Sequence, residues 1–145
     1  MAGGYVSNLV RVIAVGQTQD RDYDSLDFLS LEVYLHGFTA VLRKRRLSVS
    51  PGGVYLHAKA SDDVGNTYTA TFGGAPGGSQ GVRVHGTRHM SFARPLILFS
   101  PPLHRDAREL NVEFVEFAHT HGSTFEPRPE PWVFTVPIPP EAGVA

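Results

Sequence analysis

The sequence predicts an all-β fold, an antiparallel sandwich or barrel, on three observations. Apolar and polar residues alternate with period two in several short runs, the mark of a half-buried strand. Gly, Pro, Asn and Asp interrupt those runs at short intervals, as turns between strands require. The chain has 145 residues, 41% of them hydrophobic, enough for one core and one domain.

Each element follows from its own pattern. Leu29, Leu31, Val33 and Leu35 alternate with Ser30, Glu32 and Tyr34, and His36-Gly37 supplies a turn. Phe38, Ala40 and Leu42 alternate with Thr39, Val41 and Arg43, and Ser50-Pro51-Gly52-Gly53 closes that stretch. Val54, Leu56, Ala58 and Ala60 form the next inward set. Asp62-Asp63-Val64-Gly65-Asn66 reads as a tight hairpin, with Gly65 and Asn66 suited to positive φ and the acids bonding local amides. Tyr68, Ala70 and Phe72 then alternate with threonines, and residues 73–81 form a glycine-rich loop.

Residues 103–118 carry two patterns. Leu103, Ala107, Leu110, Phe114 and Phe117 fit one face of a helix. Leu110, Val112 and Phe114 fit a strand, with a bulge at Phe114-Val115 restoring the alternation to Phe117. A turn through 103–108 followed by a strand suits a chain built from strands. Trp132, Phe134, Val136 and Ile138 form the last inward set. Pro137 places that strand at a sheet edge or ends it there. Residues 9–138 are expected to form the domain, with flexible ends at 1–8 and 139–145.

Composition excludes several function classes. Lys and Arg number 13 against 14 Asp and Glu, so neither a strongly basic nucleic-acid binder nor an acidic tail is expected. With no cysteine there is no disulfide, thiolate metal site or thiol nucleophile. No secretory leader and no apolar stretch of about 18 residues is visible, which predicts a cytoplasmic chain with no membrane contact.

The order of motifs carries a resemblance. Val12-Ile13-Ala14-Val15-Gly16-Gln17-Thr18 is followed by Leu31-Glu32-Val33-Tyr34 and Gly37-Phe38. Then come Asp62-Asp63-Val64-Gly65-Asn66-Thr67-Tyr68, Phe99-Ser100-Pro101-Pro102-Leu103, Ala107-Arg108-Glu109-Leu110 and Trp132-Val133-Phe134. Together they resemble a family of small, uncharacterised all-β proteins from high-GC Gram-positive bacteria, over residues 9–138. The resemblance implies an immunoglobulin-like antiparallel sandwich of seven to nine strands and carries over no catalytic or binding residue.

Several constellations bear on chemistry. Gly77-Gly78-Ser79-Gln80-Gly81 matches the G-x-S-x-G elbow, which needs a strand before it and a helix after it. Val82-Arg83-Val84-His85 reads as strand, so the segment is expected to be a hairpin loop; it also lacks the lysine of a phosphate-binding loop. His119 and His121 share a face if their segment is a strand, and Glu126 follows, a partial likeness to the first cupin motif, with His85 and His89 as further ligand candidates. The acids from Asp20 to Asp27 suggest a calcium loop, but Ser25 and Leu31 stand where the pattern needs Gly and Glu. Arg43-Lys44-Arg45-Arg46 is the one dense basic run, expected to guard an edge strand against foreign pairing. Phe92, Phe99, Phe114, Phe117, Trp132 and Phe134 are expected in the core.

The reading that follows is a non-catalytic binding or structural module, not an enzyme, with no cofactor. Its expected partner is another protein or a second copy of itself, and no nucleic acid. The alternative is a metal-dependent binder or enzyme using His119, His121 and Glu126.

Overall fold

The computed structural model describes residues 9–21, 24–48, 55–70, 80–85, 88–119, 125–127 and 130–141. Among them there are eleven strands and no helix: β1 (Leu9–Arg21), β2 (Asp24–Tyr34), β3 (Phe38–Ser48), β4 (Tyr55–Asp62), β5 (Thr67–Ala70), β6 (Gln80–His85), β7 (Arg88–Ala93), β8 (Leu96–Ser100), β9 (Glu109–His119), β10 (Phe125–Pro127) and β11 (Trp132–Pro137). The all-β expectation holds, and no described helix is long and apolar enough to cross a membrane.

The sandwich needs correction. All eleven strands belong to one antiparallel sheet, ordered β1-β2-β3-β8-β5-β4-β9-β10, with β11 also on β9 and the β6–β7 hairpin on β3. β3 spans two neighbours, pairing Phe38–Val41 with β8 and Lys44–Ser48 with β7. β9 does the same on its side, with β11 along Glu109–Phe114 and β10 along Phe117–His119. Long strands shared in this way carry the sheet around continuously. The result is a nearly closed barrel in which β11 comes back to face β1.

Curvature enters at bulges. The β1–β2 register shifts between Ala14 and Gln17, and the β2–β3 register shifts between Phe28 and Ser30. Gly16 lies inside the first shift with φ +61°, a left-handed conformation that a side chain disfavours. The extra residue in β2 also explains a departure from the simple alternation. Leu26 and Phe28 face the core on one side of the bulge, Leu31 and Val33 on the other, and Leu29 is only half-buried.

Elsewhere the expected inward residues Phe38, Ala40, Leu42, Leu56, Ala60, Tyr68, Trp132, Phe134, Val136 and Ile138 are buried, and Ala58 and Ala70 are half-buried. Leu35, expected to point inward, is exposed because β2 ends at Tyr34. Phe28, Phe114 and Phe134 form an edge-to-face triangle with ring centroids 5.5–5.9 Å apart. Phe38 stacks on Phe99 and meets Tyr68 edge-on, each at 5.0 Å. The side chains of Phe92 and Phe117, both expected in this core, lie outside the description.

Residues 103–108 are a turn and strand β9 follows, as the pattern suggested. The bulge at Phe114-Val115 is absent, because the register with β4 runs through those residues without a shift. Unbroken alternation therefore turns Glu116 inward after Leu110, Val112 and Phe114.

The Asp62 hairpin forms as its residues imply. Gly65 takes φ +101°, and Asp62 accepts hydrogen bonds from the amides of Val64 and Asn66, the Asn66 side chain and the Tyr68 hydroxyl. The Tyr68 oxygen in turn accepts the His104 amide, and Asp63 accepts those of Arg108 and Glu109. This network fastens the 103–108 turn to the end of the barrel. Burial pushes the Asp62 carboxyl up, but the Tyr68, Asn66 and Val64 donors outweigh it and hold it at about 2, below the usual 3.8. A depressed carboxyl stabilises the fold fully above its unfolded value and loses that contribution as pH falls through its folded one. Asp62→Ala should therefore cost about 2–3 kcal/mol at neutral pH, from charge-assisted bonds lost. Urea titrations of both chains should converge as pH drops from 4 to 2. A gap that stays constant over that range would contradict the assignment.

Candidate functional site

Two features of the barrel gather functional side chains, a buried ion cluster and the seam beside it. At the cluster, Lys44 falls on the inward phase set by Phe38, Ala40 and Leu42, and only 1% of its side chain is exposed. Its Nζ pairs with Asp24 of β2 and lies 3.2 Å from Glu116 Oε1 of β9. Both carboxylates are themselves nearly sealed from solvent. Trp132 of β11 completes the group, with Lys44 Nζ 5.3 Å and Arg21 Cζ 3.8 Å from its ring.

Four strands thus meet around one ammonium. A lysine held between two carboxylates serves as a structural cation and offers no free electron pair for attack on a carbonyl. Removing one member leaves the remaining buried charges uncompensated, which is the costly case.

The seam is where β1 faces β11. Among the described residues β11 takes main-chain pairing only from β9, and β1 only from β2. Between them run side-chain hydrogen bonds. Gln17 Nε2 donates to the Thr135 carbonyl at 2.8 Å, and Gln19 Nε2 donates to that of Val133. Arg21 reaches the carbonyls of Glu130 and Pro131 at 2.8 and 2.6 Å, and Arg11 reaches that of Pro139 at 2.9 Å.

The sequence of β11 explains this arrangement. In a strand the N–H and C=O of one residue point to the same side, so residues 131, 133, 135, 137 and 139 share the side facing β1. Three of those five are proline, and no proline has an N–H. Val133 and Thr135 keep their N–H groups, but the ends of the edge offer acceptors alone, which suits a partner that supplies side-chain donors. The glutamine amides and arginine guanidinia of β1 do that.

On the outer face, a groove of about 430 Å³ crosses β5, β4, β9 and β11, bordered by Lys59, Ser61, Thr67, Asn111, Glu113 and Val133. Its Lys59–Glu113 pair, at 3.3 Å with Lys59 largely exposed, contributes little to stability.

The structure places some of the other sequence candidates. His119 ends β9 opposite Phe125, while Glu126 sits opposite Ala118. His121 lies outside the described residues, as do Gly77, Gly78 and Ser79. His85 and His89 lie on β6 and β7, opposite Arg88 and Arg83 in the hairpin register. Among the described residues no three His, Asp or Glu side chains are grouped to hold a metal. The segment after Ser79 is strand β6, as expected, and not the helix that a nucleophile elbow requires. The acids from Asp20 to Asp27 lie largely on β1 and β2. Of these, Asp24 joins Lys44 and Asp27 binds Thr18, Arg43 and Arg45.

The basic run needs a second correction. Arg43–Arg46 does not guard an edge, because β3 has a strand on both sides. The alternation splits the run instead, sending Lys44 to the interior cluster and Arg43 and Arg45 to Asp27, which they help bury on the opposite face of the sheet. Burial raises the Asp27 carboxyl, but the Thr18 hydroxyl and the two guanidinia outweigh it and hold it below the usual range.

Neither the protein-family models, nor the curated proteins, nor the solved structures include a match to this chain.

Lys44→Met is expected to destabilise the barrel by about 3–5 kcal/mol in urea unfolding at neutral pH, since it strands two buried carboxylates. Adding Glu116→Gln to that variant should recover part of the loss. A single variant as stable as the parent would show that the cluster does not hold the strands together.

Proposed function

We propose that this chain is a non-catalytic binding module that contacts another protein, or a second copy of itself, through the amino-terminal half of β1. The observation that carries this reading is an exposed apolar strip. Leu9, Val10 and Val12 are 47%, 49% and 56% exposed, and Leu35, beyond the β2 end that pairs with Leu9, is 58% exposed. Isolated apolar side chains on a surface are ordinary, but four within one strand pair and its turn mark a contact surface.

The position of the strip supports the same reading. Leu9 and Val12 face a β2 segment ending in Glu32 and Tyr34, whose side chains hydrogen-bond each other at 2.9 Å. An apolar strip bordered by satisfied polar groups matches the core-and-rim pattern of protein contacts. The interior charges, by comparison, are committed to one another and hold strands together.

The paired variant Val10→Lys/Val12→Lys tests the reading, because both side chains point outward and the core is left alone. Light scattering and copurification from source-cell extract should show the parent either self-associated or carrying a partner at fixed stoichiometry. The variant should bind at least tenfold more weakly with an unchanged melting midpoint. A parent that is monomeric and unaccompanied, or a variant that binds equally well, would overturn the proposal.

A further inference from the structure

We propose that residues 17–21 of β1 are a strap that lifts from β11 and exposes Trp132 and the Lys44 cluster without breaking a main-chain hydrogen bond. This goes beyond the binding reading and does not depend on it, since the apolar strip lies on the other side of Gly16.

Three observations carry it. The first is the chemistry of the seam. Every described bond across it starts from a side chain of β1, and those of Gln17 and Gln19 are exposed. An exposed side-chain bond of this kind contributes roughly 0.5–1.5 kcal/mol net, because water replaces it when it opens. The ladders of β1 with β2 and of β11 with β9 stay intact when these rungs part.

The second is the composition of the strap. Gln17, Thr18, Gln19, Asp20 and Arg21 include no apolar side chain, whereas Ile13, before the bulge, is buried in the core. Gly16, with its positive φ, separates the part with an apolar core anchor from residues 17–21, which pair with β2 and reach β11 through rungs alone. A segment without apolar anchorage belongs to the low-stability end of a fold.

The third is what the strap covers. Arg21 lies over the Trp132 ring while its guanidinium grips the carbonyls of Glu130 and Pro131. Trp132 is 1% exposed and contacts Lys44. Lifting Arg21 therefore uncovers the ring and opens a route for water to the ion cluster.

Strand addition at this edge does not explain the geometry. Pro131 and Pro137 remove donors from the side of β11 that a new strand would need, so the edge suits side-chain donors over another backbone.

Trp132 is the only tryptophan in the chain, so its fluorescence reports this site alone. Acrylamide quenching is compared in the parent, in Gln17→Ala/Gln19→Ala, and in Gln17→Arg/Gln19→Arg. Neither glutamine bonds Trp132, and Arg21 is left in place. The alanine pair should quench at least threefold more efficiently than the parent, with its strand circular dichroism retained. The arginine pair, whose side chains still donate, should quench like the parent. An alanine pair that quenches like the parent, or an arginine pair that quenches like the alanine pair, would overturn the proposal. If the alanine pair fails to fold, the parent decides. Its quenching should rise with temperature well below the unfolding midpoint, and a flat response up to that midpoint would overturn the strap.

Discussion

Prolines at and beside both ends of one side of β11 remove donors there and leave acceptors, and the closure of this barrel depends on side chains that reach those acceptors. Pro131, Pro137 and Pro139 all lie on the side of β11 that faces β1. A backbone ladder between the two strands would lack donors at both ends of this side, at Pro131, Pro137 and Pro139, and keep them at Val133 and Thr135. The chain closes with side chains instead: Arg21 and Arg11 donate to the carbonyls of Pro131 and Pro139, and Gln17 and Gln19 to those of Thr135 and Val133 between them. Among the described residues this seam therefore closes without a main-chain ladder, and the aromatic lid of the ion cluster lies beside it.

The ion cluster and the seam divide the work of holding this end together. Lys44 ties β2 to β9 through Asp24 and Glu116, bridging strands that are not neighbours in the sheet. Trp132 fills the space between that cation and Arg21. Charge inside a barrel is tolerated only when it is paired, and here the pairing spans the interior. At the opposite end the Asp62 network does the comparable task with hydrogen bonds to turn amides. The two ends are fastened by different chemistry, and the aromatic layers between them supply the apolar burial.

Much of the fold was legible because period-two alternation survives folding. Phe38–Leu42 and Trp132–Ile138 bury the residues that the pattern turns inward, Leu56–Ala60 does so with Ala58 half-buried, and the Asp62 turn uses its side chains as their chemistry suggests. Closure was not legible, since alternation states that one face is inward but not what it packs against. A sandwich and a barrel write the same pattern. Leu29 shows a second limit, because a bulge shifts the phase without leaving a mark on the apolar count. The cluster did leave a signal, in that Lys44 and Glu116 sit on inward phases of opposite charge. The first was hidden within a basic run and the second behind a bulge that does not exist. The proline spacing of β11 was equally readable, although Pro137 alone suggested only an edge. The His119 and His121 spacing, which drew attention to a metal, gained no geometry from the described residues.

The most direct measurement is nuclear magnetic resonance of the seam itself. Scalar coupling across the hydrogen bonds from the Gln17 and Gln19 side-chain amides to the carbonyls of Thr135 and Val133 should be detectable, with those amide protons shielded from exchange. No main-chain coupling should link β1 to β11. Free, rapidly exchanging glutamine amides, or a backbone ladder between the two strands, would contradict side-chain closure of the barrel.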